Sequence, residues 1–192
     1  MNITDDLQKR LAAVRMLVLD VDGVLTPGSI IYTDSGEETK TFDVKDGLGI
    51  RVASAAGLQL AVMTGRVSPV VQRRARDLHI HHTLQRIGDK AASLKALASD
   101  QEIPLECVAY MGDDLNDRPA MRIAGVSIAP ADAVAEILAE AHLVTDAPGG
   151  KGAVRQAVEA ILRAQGRWEE SVNHYLAGLA ERDRARRAAE RE

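Results

Sequence analysis

Two carboxylates one residue apart, Asp20 and Asp22, follow the apolar run Met16-Leu17-Val18-Leu19 and are themselves followed by Gly23. Such a run reads as a buried strand, so the pair stands at a strand's C-terminal end, the edge where open α/β sheets bind ligands. Three other stretches bring polar groups to corresponding positions: Met63-Thr64-Gly65-Arg66, a helix opening with Lys90, and Gly112-Asp113-Asp114-Leu115-Asn116-Asp117. Asp113 beside the Asp20/Asp22 pair concentrates hard oxygen ligands, which select Mg²⁺. Thr64 offers a hydroxyl and Gly65 an unencumbered backbone N–H, both suited to phosphate oxygens. Lys90 adds a charge that neutralises a phosphate and keeps a carboxylate ionised. A carboxylate facing a phosphoryl group held in this way can attack it and form an aspartyl-phosphate. A second acid two residues on can protonate the leaving alcohol and then deprotonate water.

The elements that must position these groups alternate along the chain. Strands are expected over residues 15–20, 58–63, 80–84, 107–111, 125–128 and 142–144. Helices are expected over 46–56, 69–78, 89–99, 115–124, 132–139 and 152–164, with a short polar one near the N-terminus. Strands separated by helices imply right-handed crossovers and a parallel sheet covered on both faces. The fold class is therefore α/β, a three-layer doubly wound, mainly parallel sheet. Residues 28–42 interrupt the alternation with a β-hairpin after the first strand, built around the polar turn Thr33-Asp34-Ser35-Gly36-Glu37-Glu38. One domain is expected over 1–166. The tail, 167–192, places Trp168, Val172, Tyr175 and Leu179 at helical spacing and then loses its apolar stripe. It is expected to dock through its first three turns and then fray.

Composition narrows the function. Aromatic residues make up only 3% of the 192, and the net charge is −4, so the chain has neither base-stacking platforms nor a basic footprint for nucleic acid. No apolar run reaches the roughly 20 residues of a membrane helix. The first residues do not read as a secretory signal, and Cys107 is the only cysteine. Together these point to a reducing, cytoplasmic location. Cys107 reads as a small core residue on a strand.

Taken together and in this order, Asp20-Val21-Asp22-Gly23-Val24-Leu25, Thr64-Gly65, Lys90 and Gly112-Asp113-Asp114 with Asp117 resemble the haloacid dehalogenase superfamily of phosphohydrolases. The resemblance implies a Rossmann-like core in which Asp20 is the nucleophile and Asp22 the general acid/base. It implies Mg²⁺ held by the Asp20 carboxylate, the Asp22 backbone carbonyl and Asp113. Thr64 and Lys90 would hold the phosphate, Asp117 would orient Lys90 or a metal-bound water, and Asp114 would stand behind the ligands.

A finer resemblance spans residues 15 to about 166. The hairpin, Val44-Lys45-Asp46-Gly47-Leu48-Gly49-Ile50 and Gly149-Gly150-Lys151-Gly152-Ala153-Val154-Arg155 are similar to the subfamily that hydrolyses 3-deoxy-D-manno-octulosonate 8-phosphate. That subfamily lacks a separate cap domain. Its hairpin and a neighbouring subunit of a homotetramer cover the site, and its product feeds lipopolysaccharide precursor synthesis. Relatives acting on nine-carbon, sialic-acid-type 9-phosphates carry Glu after Thr-Gly, whereas this chain has Arg66. A guanidinium there suits a sugar acid's carboxylate, which it can bind bidentately. By the same resemblance, Arg74 stands at a position that can reach a neighbouring subunit's site, which makes it a further substrate-binding candidate. Arg86 departs from the subfamily, standing where Gly is expected, and the tail is longer than usual.

Other features have plainer readings. His79, His81 and His82 lack a carboxylate at ligand spacing and read as surface or interface residues. Residues 149–152 fit a phosphate cradle or a plain turn with Lys151 at the pocket mouth. Ile30, Ile31, Tyr32 and Phe42 leave apolar surface on both hairpin faces, which favours packing against another copy of the chain. A phospho-aspartate receiver domain uses similar residues, but no Asp ends a strand between Asp22 and Thr64 here. An inactive scaffold is disfavoured because every catalytic position carries a competent residue. A nucleotide-dependent oxidoreductase is disfavoured because no G-x-G-x-x-G follows the first strand.

Overall fold

Along the first strand, Leu17 and Leu19 enter one apolar core while Met16 and Val18 enter another. This period of two is what divides the molecule into layers. The computed structural model describes residues 3–190. The strands are β1 (Met16–Leu19), β2 (Ile31–Tyr32), β3 (Glu38–Thr39), β4 (Gln59–Met63), β5 (His82–Leu84), β6 (Val108–Met111), β7 (Val126–Ala129) and β8 (Leu143–Val144). The helices are α1 (Asp5–Ala12), α2 (Val44–Ala55), α3 (Pro69–Asp77), α4 (Lys90–Asp100), α5 (Arg118–Ile123), α6 (Ala135–Glu140), α7 (Ala153–Ala164) and α8 (Trp168–Ala189).

Six strands form a parallel sheet in the order β5-β4-β1-β6-β7-β8, and β2 pairs antiparallel with β3. On the Leu17/Leu19 face lie side chains of α1, α2, α3, α7 and Trp168 of α8. On the Met16/Val18 face lie those of α4, α5 and α6. The expected three-layer arrangement is therefore present. Among the described residues no helix is long and apolar enough to cross a membrane.

Register sets the active edge. Leu19 pairs with Val62 of β4 and with Met111 of β6, so the chain leaves all three strands at one level. Asp20 still donates its N–H to Met111 O at 3.0 Å, Thr64 to Leu84 O at 2.9 Å and Gly112 to Ile128 O at 3.2 Å. The chain moves from β1 to β4 on one side and later to β6 on the other, so β1 ends at a topological switch point.

Several boundaries differ from expectation. Helix α5 begins at Arg118 rather than residue 115, because Asp117 Oδ2 accepts the N–H groups of Asp113 and Asp114 and holds the preceding residues in a loop. Helix α6 begins at Ala135, since Asp132 instead accepts the Gly149 N–H at 2.8 Å. Cys107 is not on a strand. It ends a 3₁₀ turn over Leu105–Cys107 and is half-buried against the α4/α5 core. The tail docks through Trp168, Val172 and Tyr175, but Leu179 is 40% exposed. Where fraying is expected the helix continues to Ala189, with Asp183 paired to Arg186 at 2.9 Å and to Arg187 at 2.8 Å. Ion pairs at these spacings support a helix without an apolar stripe.

Candidate active site

The C-terminal edge of the sheet holds a cleft of about 280 Å³ lined by Asp20, Asp22, Gly28, Thr64, Gly65, Arg66, Asp113, Asp114 and Asn116. Its floor is Asp20, which leaves β1 almost fully buried. Lys90 comes from a strand-distant element, 70 residues away, and its Nζ lies 2.7 Å from Asp20 Oδ1 and 2.6 Å from Asp117 Oδ1. It is the first residue of α4, whose start is fixed by Asp89 accepting the Ala92 N–H at 2.9 Å.

Asp117 is fully buried and every lone-pair direction has a use. Oδ1 accepts from Lys90 and, at 2.8 Å, from the Tyr110 hydroxyl, while Oδ2 accepts the N–H of Asp113 at 3.1 Å and of Asp114 at 3.4 Å. It thus orients Lys90 and shapes the loop that carries Asp113. A side chain at position 112 would put its Cβ 2.4 Å from Asp117 Cβ, so Gly112 is required for this approach.

Asp113 is the reverse case. Its Oδ1 is buried with no hydrogen-bond partner. Burial, followed by repulsion from Asp20, Asp117 and Asp114, raises its pKa to about 7 against the opposing charge of Lys90. Asp20 is also raised to about 7, by burial first and then by Asp117, with Lys90 pulling the other way. Carboxylate oxygens of Asp20, Asp113 and Asp117 lie within 4.8 Å of one another, the one such metal-capable group among the described residues. One lysine does not balance three crowded acids, and a buried anionic oxygen without a partner is costly. A divalent cation with a preference for hard oxygen fits this donor set, with Asp20 and Asp113 as its holders since Asp117 is already satisfied.

Thr64 is buried at the wall and its Oγ1 accepts the Arg66 N–H at 3.3 Å. Arg66 reaches over the cleft, with one terminal nitrogen 3.0 Å from both the Tyr32 hydroxyl and Glu38 Oε1 and its Nε 3.8 Å from Asp22 Oδ2. Asp114 lines the cleft and accepts the Leu115 N–H at 2.7 Å. Arg74 does not line it. Its guanidinium stacks on Phe42 at 5.6 Å and donates to Asp43 O at 3.3 Å, beneath α2.

The glycine-rich turn at 149–152 is a buttress rather than a phosphate cradle. Gly150 donates to Val24 O at 2.9 Å, and a Cβ on Gly149 would sit 1.8 Å from Gly23 O. Lys151 is exposed and is not among the cleft-lining residues. Asp46, from the Val44-Lys45-Asp46-Gly47 stretch, accepts the N–H of Gly152 at 3.1 Å and of Arg155 at 2.7 Å, capping α7. The glycine turn braces the Gly23–Val24 segment from behind, and Asp46 holds the end of that turn through Gly152. His81 Nδ1 accepts the Leu60 N–H at 3.1 Å, so this histidine is structural.

Sequence reasoning missed Lys40, Glu38, Tyr32, Tyr110 and Asn116. Lys40 is buried and paired with Asp22 and Glu38. A lysine between two threonines gives no local signal of burial. Tyr110 was readable only as a strand residue.

Residues 83–157 match the haloacid dehalogenase-like hydrolase family. The chain is 42% identical to the 3-deoxy-D-manno-octulosonate 8-phosphate phosphatase of Yersinia pestis over 167 residues, covering 87% of this chain and 89% of the relative. It is 40% identical to the enzyme of the same name from Escherichia coli, over 88% of this chain and 90% of the relative. Among solved structures, the Moraxella catarrhalis phosphatase of that name, in complex with magnesium ion, phosphate ion and the sugar acid, superposes with a TM-score of 0.87 at 38% identity, covering 90% of this chain and 99% of that one.

Proposed function

Because the chain belongs to the haloacid dehalogenase-like hydrolases, in the group of 3-deoxy-D-manno-octulosonate 8-phosphate phosphatases, we infer that it is a Mg²⁺-dependent phosphomonoesterase releasing phosphate from that sugar acid's 8-phosphate. The observation that carries this reading is the buried Asp20–Lys90–Asp117 arrangement beside an unpartnered Asp113 oxygen. Bound Mg²⁺, held by the carboxylates of Asp20 and Asp113, supplies positive charge against the phosphate oxygens.

The side chains divide the remaining work. Asp20, oriented by Lys90, attacks phosphorus with a carboxylate oxygen, and the bond from phosphorus to the sugar's C8 oxygen breaks. Asp22 gives its proton to that departing oxygen. Asp22 then takes a proton from water as the water oxygen attacks phosphorus, the bond to Asp20 breaks and inorganic phosphate leaves. Thr64, Gly65 and Lys90 hold the phosphate oxygens, and Arg66 presents its guanidinium to the sugar's carboxylate.

Phosphate release from the 8-phosphate, from a nonulosonate 9-phosphate and from p-nitrophenyl phosphate tests this assignment, with Asp20→Asn and Arg66→Glu alongside. Asp20→Asn is expected to lose at least ~10³-fold in kcat with its fold intact, and Arg66→Glu to lose preference for the eight-carbon substrate. Full activity in Asp20→Asn refutes the mechanism, and an 8-phosphate no better than p-nitrophenyl phosphate refutes the substrate.

The assembly is read from the hairpin. Ile30, Ile31 and Tyr32 are 40%, 45% and 60% exposed. Apolar side chains gathered on one rim favour contact with a second copy, and a homotetramer would bring a neighbour's Arg74 face toward the cleft.

A further inference from the structure

Lys40 is the buried charge that the chemistry above leaves unused. It follows β3 of the hairpin, and its side chain is 1% exposed. Lysines this deep persist when they are paired and hydrogen-bonded. Here Nζ is hydrogen-bonded to Asp22 Oδ1 and lies 3.3 Å from Glu38 Oε1. The same Glu38 oxygen accepts from Arg66, whose Nε faces Asp22 Oδ2 at 3.8 Å. Lys40, Asp22, Arg66 and Glu38 therefore close a ring of alternating charge over the cleft. Among the described residues, the ion-pair partners of Asp22 are Lys40 and Arg66. With Oδ1 taken by the buried lysine, Oδ2 is the oxygen left to the cleft.

We propose that Lys40, anchored by Glu38, is a positioning residue that holds the Asp22 carboxylate with Oδ2 toward the leaving oxygen. The role rests on the phosphatase reading above and deepens it, since it makes the hairpin part of the proton-transfer machinery. The physical reason is geometric. Proton transfer needs the two heavy atoms within about 2.6–3.2 Å, and a misplacement of about 1 Å costs about 100-fold. A carboxylate on a short side chain turns about its last bond unless one oxygen is tethered. Nothing else described tethers Oδ1.

The test compares leaving groups that need protonation with one that does not. Wild type, Lys40→Met, Glu38→Gln, Asp22→Asn and the double variant Asp22→Asn/Lys40→Met are assayed with phenyl phosphate, a primary alkyl phosphate and p-nitrophenyl phosphate. None of these carries a carboxylate, so Arg66 does not bias the comparison. The readout is kcat/KM, which reports the steps up to cleavage of the phosphate ester. Lys40→Met is expected to lose about 100-fold on the phenyl and alkyl esters and less than about tenfold on the p-nitrophenyl ester, with KM little changed. Glu38→Gln moves in the same direction by a smaller ratio. The double variant is no worse than Asp22→Asn, because the two residues act as a unit. The ratio between substrates within one variant is independent of the fraction folded. Equal losses on all three esters, or additive losses in the double variant, overturn the role of Lys40. A wild type inert toward these esters and toward the sugar acid's 8-phosphate as well brings down the phosphatase reading and the role with it.

Discussion

A β-carbon on Gly23 would lie 2.0 Å from Oδ2 of Asp113. The glycine after the first acidic pair and the acid at the end of a strand some ninety residues on are thus fitted to each other. Gly23 also sits at φ +93°, a region that side chains avoid. Gly23→Ala is expected to displace Asp113, weaken the response to Mg²⁺ and lower kcat by about 100-fold or more. Wild-type kcat together with a wild-type Mg²⁺ dependence in this variant would show that Asp113 needs no such room.

Asp117 is predicted to act through Lys90 and the Asp113 loop. Asp117→Asn keeps the volume but weakens the hydrogen bonds to Lys90 and Tyr110, and should cost about 10–100-fold in kcat. Tyr110→Phe removes one buried hydrogen bond and should cost about 1 kcal/mol of stability in denaturant unfolding, with kcat within a few-fold of wild type. Equal kinetic damage from the two variants would contradict this division.

The cation-free protein should lose stability as pH rises. Asp20 and Asp113 have folded pKa values of about 7, against an ordinary aspartate value of 3.8. Between these values the native state binds more protons than the unfolded chain, so stability is full below about pH 4 and declines through about pH 7. Lys90, raised above its ordinary value by the two acids despite burial, contributes stability throughout this window. Mg²⁺ binds the deprotonated carboxylates, so the Tm gained on adding it should grow from about pH 5 to about pH 8. Thermal scans in chelator and in Mg²⁺ measure this, and a Tm gain independent of pH would contradict it.

Arg86 adopts φ +59°, the left-handed region. This is the position at which glycine is expected from the resemblance, and the backbone supplies the reason. Arg86→Gly relieves about 1–2 kcal/mol of strain and adds about 0.5–1 kcal/mol of unfolded-state entropy. The net expectation is a gain of up to about 1 kcal/mol in chemical denaturation. A clear loss of stability would mean that the Arg86 side chain contributes more than its backbone costs.

Sedimentation tests the hairpin rim. The wild type is expected to sediment as an oligomer at micromolar concentration, and Ile31→Asp, which puts a charge on a 45% exposed apolar position, to shift it toward smaller species. A monomeric wild type would end the proposal.

The resemblance reached the reaction because the motif residues sit where strands end, and strand ends are legible from local patterning. Leu17 and Leu19 against Met16 and Val18 fix two sheet faces with nothing but alternation. Asp20, Thr64 and Asp113 follow from it, since parallel strands leave their C-terminal ends on one edge, whereas Lys90 is carried there as the first residue of α4. Helix starts were less legible. Asp117 and Asp132 bind backbone groups outside their own helices, and local propensity carries no record of such distant partners.

The sequence by itself determined the alternation that divides the two sheet faces and the strand ends that carry Asp20, Thr64 and Asp113, because each is set by patterning within a few residues. Only the tertiary structure decided which of those groups are satisfied. It pairs Asp117 with four donors and leaves an Asp113 oxygen with none. It also tethers Asp22 to Lys40, eighteen residues away, and turns Arg74 from the cleft to the face of Phe42. Burial and pairing are properties of packed space, and two carboxylates with identical local sequence signals acquire different chemistry from what lies against them.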